Sequence, residues 1–109
     1  MKRYALGIDY GTNSCRSLLV DLDDGSEVGS TTFCYPSGEM GILLDERNPN
    51  VARQNPQDYL DGLEKVTHGA LEQARANVPG FSADQVIGIG IDTTGSTPIP
   101  VNREGTPLG

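Results

Sequence analysis

Two stretches of the chain, Gly7-Ile8-Asp9-Tyr10-Gly11-Thr12-Asn13-Ser14 and Gly90-Ile91-Asp92-Thr93-Thr94-Gly95-Ser96-Thr97, hold the residue types best suited to chemistry. Each closes a short apolar run on an aspartate and then turns through glycine and small hydroxyl side chains. In the first, Gly11 permits an unusual backbone angle, while Thr12, Asn13 and Ser14 supply amides and short polar groups. A phosphate chain can accept hydrogen bonds from such a turn. Asp9 would repel phosphate directly and would instead hold a Mg²⁺ ion through water. A tight hairpin in which Asp9 and Thr12 only satisfy backbone groups is an equally good reading of these residues taken alone.

Other signatures are missing. There is no GxxxxGK[ST], and Gly88-x-Gly90 runs into Thr93 where a dinucleotide loop wants its third glycine. His68 has no second ligand at a matching spacing, which points to a solvated or partly packed side chain. Cys15 and Cys34 sit in no CxxC or His/Cys metal pattern. Asp21, Asp23, Asp24 and Asp45 fall in turns or a long loop, where solvated carboxylates are the rule, so none is favoured as a base.

The elements that must position the two turns follow from periodicity. Tyr4 to Asp9 alternates Tyr4, Leu6 and Ile8 against Ala5, Gly7 and Asp9, and Arg16 to Asp21 holds Leu18, Leu19 and Val20, so both read as strands. Glu27 to Tyr35 adds a third and completes an antiparallel meander. A two-residue Asp24-Gly25 turn would pair positions symmetrically about it and set Cys15 opposite Cys34. A disulfide there is conceivable in geometry and disfavoured in a cytoplasm; a three-residue loop abolishes the pairing.

Residues 36–54 carry Pro36, Gly38, Gly41 and Pro49 around an apolar island at Met40 to Leu44, which predicts a long surface loop or flap. A helix over about 55–76 is punctuated by Asn55 as cap, Pro56 in the first turn and Asp58 beside the free amides. Tyr59, Leu60, Leu63, Val66, Ala70, Leu71 and Ala74 give it one apolar face that needs a sheet. Val86 to Ile91 is a strand with Ile87, Ile89 and Ile91 on one face and Gly88 and Gly90 on the other, where a helix or another backbone can approach closely. Pro98 to Asn102 and Thr106 to Leu108 bracket a short hairpin. The order is an α/β layer of three antiparallel strands, a helix, a strand parallel to the first and a hairpin.

Composition sets bounds. The chain has 109 residues, 36% of them hydrophobic, with fourteen glycines and a net charge of −7, an ordinary globular mix. The eight cations are scattered, which argues against a nucleic-acid or anionic-membrane surface. No run approaches the roughly 20 apolar residues of a membrane span. Only Tyr4 to Ile8 separates Met1-Lys2-Arg3 from Asp9, so no signal peptide is expected and the cytoplasm is the default compartment. The chain stops at Gly109 after a hairpin, with no second long helix for the other sheet face. That suggests a piece of something larger, with an uncovered apolar face that favours self-association.

Asp9-Tyr10-Gly11-Thr12-Asn13-Ser14-Cys15-Arg16, followed by Leu18-Leu19-Val20-Asp21, resembles the DxGTxxxR phosphate-binding hairpin of sugar kinases with an actin- and Hsp70-like ATPase fold. Arg53-Gln54-Asn55-Pro56-Gln57-Asp58-Tyr59-Leu60 is similar to the stretch before that family's first helix, with Tyr59 and Leu60 where tryptophans are usual. Val86 to Pro98 resembles the ribulokinase branch of the FGGY carbohydrate kinases, where glycerol kinases and xylulokinases carry different residues.

The resemblance spans nearly the whole of 1–109 and implies an incomplete RNase H-like, actin-like ATPase fold. It implies that Gly11, Thr12, Asn13 and Ser14 meet the phosphates of ATP, that Arg16 supports them, and that Asp9 lies by Mg²⁺. It places Asp92, Thr94, Gly95 and Ser96 at the sugar, where hydrogen-bonding groups tell hydroxyl arrangements apart and the bare Gly95 lets substrate reach the backbone. For Asp92, a carboxylate that fixes the turn is at least as good a reading. In the family the catalytic aspartate and the adenosine site come much later in a chain several times longer, so this chain alone is expected to be inactive.

The full-length form is expected to be a homo-oligomer that phosphorylates a pentulose such as ribulose. The alternatives are a kinase for another sugar or polyol, such as xylulose or glycerol, and a non-catalytic actin/Hsp70-like nucleotide-binding or interaction module. A downstream aspartate at a sugar-site position favours the kinase over the module.

Overall fold

Alternating apolar residues form strands wherever one face can be buried, and four such segments make the main sheet of the computed structural model, which describes residues 1–95 and 97–108. Strands β1 (Tyr4–Tyr10), β2 (Ser14–Asp21) and β3 (Glu27–Cys34) form the antiparallel meander. A hairpin of β4 (Leu43–Asp45) and β5 (Asn48–Arg53) precedes helix α1 (Pro56–Asn77), and β6 (Val86–Asp92) returns parallel to β1. The sheet order is β3-β2-β1-β6, the α/β arrangement expected from the element order.

One face of the sheet carries the core. Tyr4, Leu6 and Ile8 of β1, Cys15 and Leu19 of β2 and Val28 of β3 pack under Val66, Ala70 and Ala74 of α1. The helix starts where the Asn55 side chain accepts a hydrogen bond from the Gln57 amide at 3.0 Å, with Pro56 in its first turn. It lies unusually close to the sheet because glycines leave room. A Cβ on Gly29 would overlap the Ala70 carbonyl, and one on Gly62 would sit 2.5 Å from Cys15 Sγ. Small residues therefore meet the sheet, whereas Leu60 and Leu63, read as part of the apolar face, flank the contact at 59% and 36% exposure.

Three expectations are corrected. The β2–β3 loop is not a two-residue turn: the Asp21 amide donates to the Ser26 carbonyl at 2.9 Å and the Gly25 amide to the Asp21 carbonyl at 2.8 Å, with Gly25 at φ +76. A register shift at Leu19/Val20 then pairs Cys15 with Phe33 and Ser14 with Cys34. Successive residues of a strand point to opposite faces, so Cys15 is buried, Cys34 is exposed and both are free thiols.

Asp21 is not solvated. It is 2% exposed, accepts from Lys2 Nζ at 2.7 Å and from the Asp23 amide at 2.9 Å, and those bonds hold its pKa below the usual carboxylate value. The stretch 36–54, read as a loop, contains the β4–β5 hairpin and a tight Glu39–Ile42 turn. His68 is exposed, and no helix among the described residues is long and apolar enough to cross a membrane.

Candidate functional site

The turn between β1 and β2 closes with the Gly11 amide donating to the Ser14 carbonyl at 2.8 Å. Its three inner carbonyls are all held by the scaffold. Tyr35 Oη donates to the Gly11 carbonyl at 3.0 Å, Gln54 Nε2 to the Thr12 carbonyl at 2.8 Å and the Tyr35 amide to the Asn13 carbonyl at 3.0 Å. A trans peptide points its carbonyl and the next residue's N–H in opposite directions. Pulling these carbonyls toward the protein therefore turns the Thr12, Asn13 and Ser14 amides away from it.

Among the described residues no protein acceptor takes the amides of Thr12 or Asn13, and the Thr12 and Ser14 hydroxyls are likewise unengaged. The Asn13 side chain is engaged: its Nδ2 donates to the Met40 carbonyl at 2.7 Å. Among the described residues Asn13 thus leaves its backbone amide without a protein acceptor and uses its side chain to grip the flap.

Behind the turn stand three tyrosines. The Tyr10 and Tyr59 rings stack at 4.6 Å with 4° between planes, and Tyr35 stacks on Tyr59 at 5.3 Å. Tyr10 Oη donates to the Tyr59 carbonyl at 3.0 Å, and Tyr59 Oη donates to Gln54 Oε1 at 3.1 Å. Burial pushes the Tyr10 and Tyr35 hydroxyls up in pKa, which keeps both as protonated donors. Asp58, 4% exposed, accepts from the Ser37 amide at 3.2 Å and the Ser37 hydroxyl at 3.0 Å, tying the start of the flap to the start of α1.

Tyr35 had no site role in the sequence, and Gln54, Asp58 and Tyr59 only a place in a motif. A signal existed in three tyrosines at the ends of three different elements.

The charged residues lie on the sheet face opposite α1. Arg16 is in register with Asp9 and donates from Nη2 to its Oδ2 at 2.9 Å; Asp9 is in turn in register with Asp92 across β1 and β6. With Gly7, Leu18 and Gly90 they line an open trough of about 750 Å³. Thr12 and Thr94 line a different cleft of about 640 Å³, shared with Arg53, Gln54, Tyr59 and Ile99. Of the predicted residues, Asp9, Arg16 and Asp92 line the trough and Thr12 and Thr94 the cleft, whereas Gly11, Asn13, Ser14 and Gly95 line neither.

Thr94 Oγ1 and Thr97 Oγ1 share a hydrogen bond at 2.7 Å, which ties the second turn to itself. A Cβ on Gly95 would meet nothing within 4 Å, so the chain's own packing does not require glycine there. Ser96 lies outside the described residues. No cluster of three or more His, Cys, Asp or Glu side chains able to hold a metal occurs among the described residues.

The profile of the FGGY family of carbohydrate kinases, N-terminal domain, matches residues 4–109. The ribulokinase of Shouchella clausii is 43% identical over 112 residues, covering 99% of this chain and 19% of the relative. That of Geobacillus thermodenitrificans is 40% identical over 111 residues, covering 98% of this chain and 19% of the relative. That of Vibrio parahaemolyticus is 38% identical over 107 residues, covering 98% and 18%. This chain therefore spans about a fifth of the length of these relatives. The crystal structure of gluconate kinase from Lactobacillus acidophilus superposes with a TM-score of 0.71 at 18% identity, over 100% of this chain and 19% of that one, a likeness of fold.

Proposed function

The chain belongs to the FGGY family of carbohydrate kinases, and from that premise we propose that it forms the phosphate-holding wall and part of the sugar-holding wall of an enzyme that transfers the γ-phosphate of ATP to a pentulose such as ribulose. The observation that carries this reading is the Gly11–Ser14 turn, whose carbonyls are held by Tyr35 and Gln54, whose amides face away from those partners, and whose Thr12 lines a cleft with Thr94. Three successive amides and two hydroxyls suit a triphosphate, which brings acceptors only.

Arg16 adds a guanidinium that can exchange its exposed carboxylate partner for phosphate at little cost, since such pairs contribute about 0–1 kcal/mol. Asp9 keeps Oδ1 outside that ion pair, and with Asp92 beside it the pair suits a Mg²⁺ ion that retains most of its water, as this ion prefers. When bound, Mg²⁺ would offset the charge of the phosphates. Asp92, Thr94 and Gly95 would give the sugar hydroxyls an acceptor, a hydroxyl and open backbone, and Ser96 is assigned to the same role from its residue type alone. The relatives that match at 38–43% identity are named ribulokinases, which favours a pentulose over a polyol. In this reading the base that takes the sugar hydroxyl's proton comes from outside residues 1–109.

A coupled ADP-release assay of the full-length protein, run with ribulose, xylulose, gluconate and glycerol, tests the reading. Ribulose should give the highest kcat/KM, and Asp9→Asn should lower turnover about a hundredfold at limiting Mg²⁺. Preference for another acceptor moves the substrate assignment. Absence of ADP release with every acceptor supports the non-catalytic module instead, and an unchanged Asp9→Asn rate removes the metal-side role.

A further inference from the structure

Gln54 follows the last residue of β5 and precedes the cap of α1, so it marks the point where the flap rejoins the body of the protein. Its side-chain amide is held at both ends, with Oε1 accepting from Tyr59 Oη at 3.1 Å and Nε2 donating to the Thr12 carbonyl at 2.8 Å. The reversed amide would set two carbonyl oxygens against each other, so only one orientation satisfies the network. Tyr59 cannot follow a displaced partner, because its ring is stacked with Tyr10 and Tyr35 and its carbonyl is taken by Tyr10 Oη. The Thr12 carbonyl is therefore fixed from a rigid base, and with it the direction of the Asn13 amide across the same peptide plane.

We propose that Gln54 is a positioning residue for phosphate recognition: clamped by Tyr59, it holds the Thr12–Asn13 peptide so that the Asn13 amide faces an incoming phosphate. The proposal rests on the phosphate reading of the turn given above. It assigns to a flap residue, 42 positions from Thr12, the task of preorganising a donor that would otherwise have to be ordered when ligand binds. Gln54→Glu is the sharpest probe. It keeps the size of the side chain and the acceptor for Tyr59, but it replaces the donor facing Thr12 with a second acceptor.

The test is ¹⁵N TROSY NMR of the full-length protein, comparing wild type with Gln54→Glu, Gln54→Ala and Tyr59→Phe, first without ligand and then during titration with ATP. In both position-54 variants the Thr12 and Asn13 amides should lose order, seen as a fall in their heteronuclear NOE, while β1 and β2 resonances and the melting temperature hold. The ATP Kd followed at those amides should rise about tenfold, the effect of one lost charge-assisted hydrogen bond. Tyr59→Phe keeps the stacked ring and should move both readouts in the same direction by less; it decides the question should a position-54 variant unfold. Unchanged turn order, or an unchanged Kd despite a loosened turn, overturns the proposal. A wild-type turn that never responds to ATP overturns the phosphate reading itself, and the dependence of turn order on Gln54 then separates that failure from failure of the positioning role.

Discussion

Met40 is the single non-glycine residue of the described chain with a positive φ, +51, and it precedes Gly41 at φ +86. The two form the centre of a tight turn in which Glu39 and Ile42 exchange both backbone hydrogen bonds at 3.0 Å. Two successive positive φ values favour Asn-Gly over Met-Gly, and an unbranched side chain held there costs on the order of 1 kcal/mol. The side chain gains little in return at 74% exposure, whereas the carbonyl accepts a hydrogen bond from Asn13 Nδ2. Met40→Asn should therefore raise the melting temperature by several degrees, about 1 kcal/mol for a chain of this size, without changing the response of the turn to ATP. A lower melting temperature would mean that the Met40 side chain packs more than its exposure implies. Residue types marked Asp9 and Thr12 as a candidate site in the sequence, and Arg16 joined them through the family resemblance. The residues that aim the turn were not legible as such, because Tyr35 and Gln54 act through contacts 24 and 42 positions away.

Between elements, the decisive quantity is how closely α1 approaches the sheet. Strands and helix were legible from periods of two and about 3.6, and the parallel return of β6 from the crossover rule. The β2–β3 register was not, because a bulge at Leu19/Val20 leaves no mark in the hydrophobic pattern, and one residue of shift is enough to separate Cys15 from Cys34. Nor was the identity of the helix contact, since glycines carry no hydrophobic signal and yet set the spacing. Gly62→Ala should gain about 1 kcal/mol of helix propensity and lose more, because its Cβ would meet Cys15 Sγ at 2.5 Å. A net loss of about 1–3 kcal/mol in urea unfolding is expected. Gly62→Ala combined with Cys15→Ala should recover part of that loss relative to Cys15→Ala alone, and a strictly additive double variant would show that the sulfur contact is not its source.

Across the whole molecule, one helix serves a four-stranded sheet, and it packs mainly on β2 and β3. In register, Ile89 lies beside Leu6 and Ile91 beside Ile8, so the isoleucines share the core face, yet Ile87, Ile89 and Ile91 remain 59%, 65% and 58% exposed. The sequence set the three isoleucines on one face and anticipated an uncovered apolar face, but it expected the glycine face to admit a helix or another backbone, and a Cβ on Gly88 or Gly90 would meet nothing within 4 Å. The isoleucines lie on the helix side and stay bare because the β3-β2-β1-β6 order, not the periodicity of β6, sets the reach of α1. The radius of gyration is 16.5 Å, against about 13 Å for a compact domain of this length. A stripe of three isoleucines on an edge strand combines uncovered apolar area with unpaired backbone groups, the two features that drive strands to pair with other chains. Sedimentation velocity of the 109-residue chain should accordingly show association that grows with concentration, and Ile89→Lys, which puts a charge at the centre of the stripe away from the Gly11–Ser14 turn, should shift the chain toward monomer. A wild-type chain that stays monomeric at high concentration would show that this face does not drive self-association. The contrast along β6 gives the reason to expect it: Asp92 at its end and Thr94 beyond it bring polar groups to the candidate site, while the isoleucines before them stay more than half exposed on the core face beyond the reach of α1.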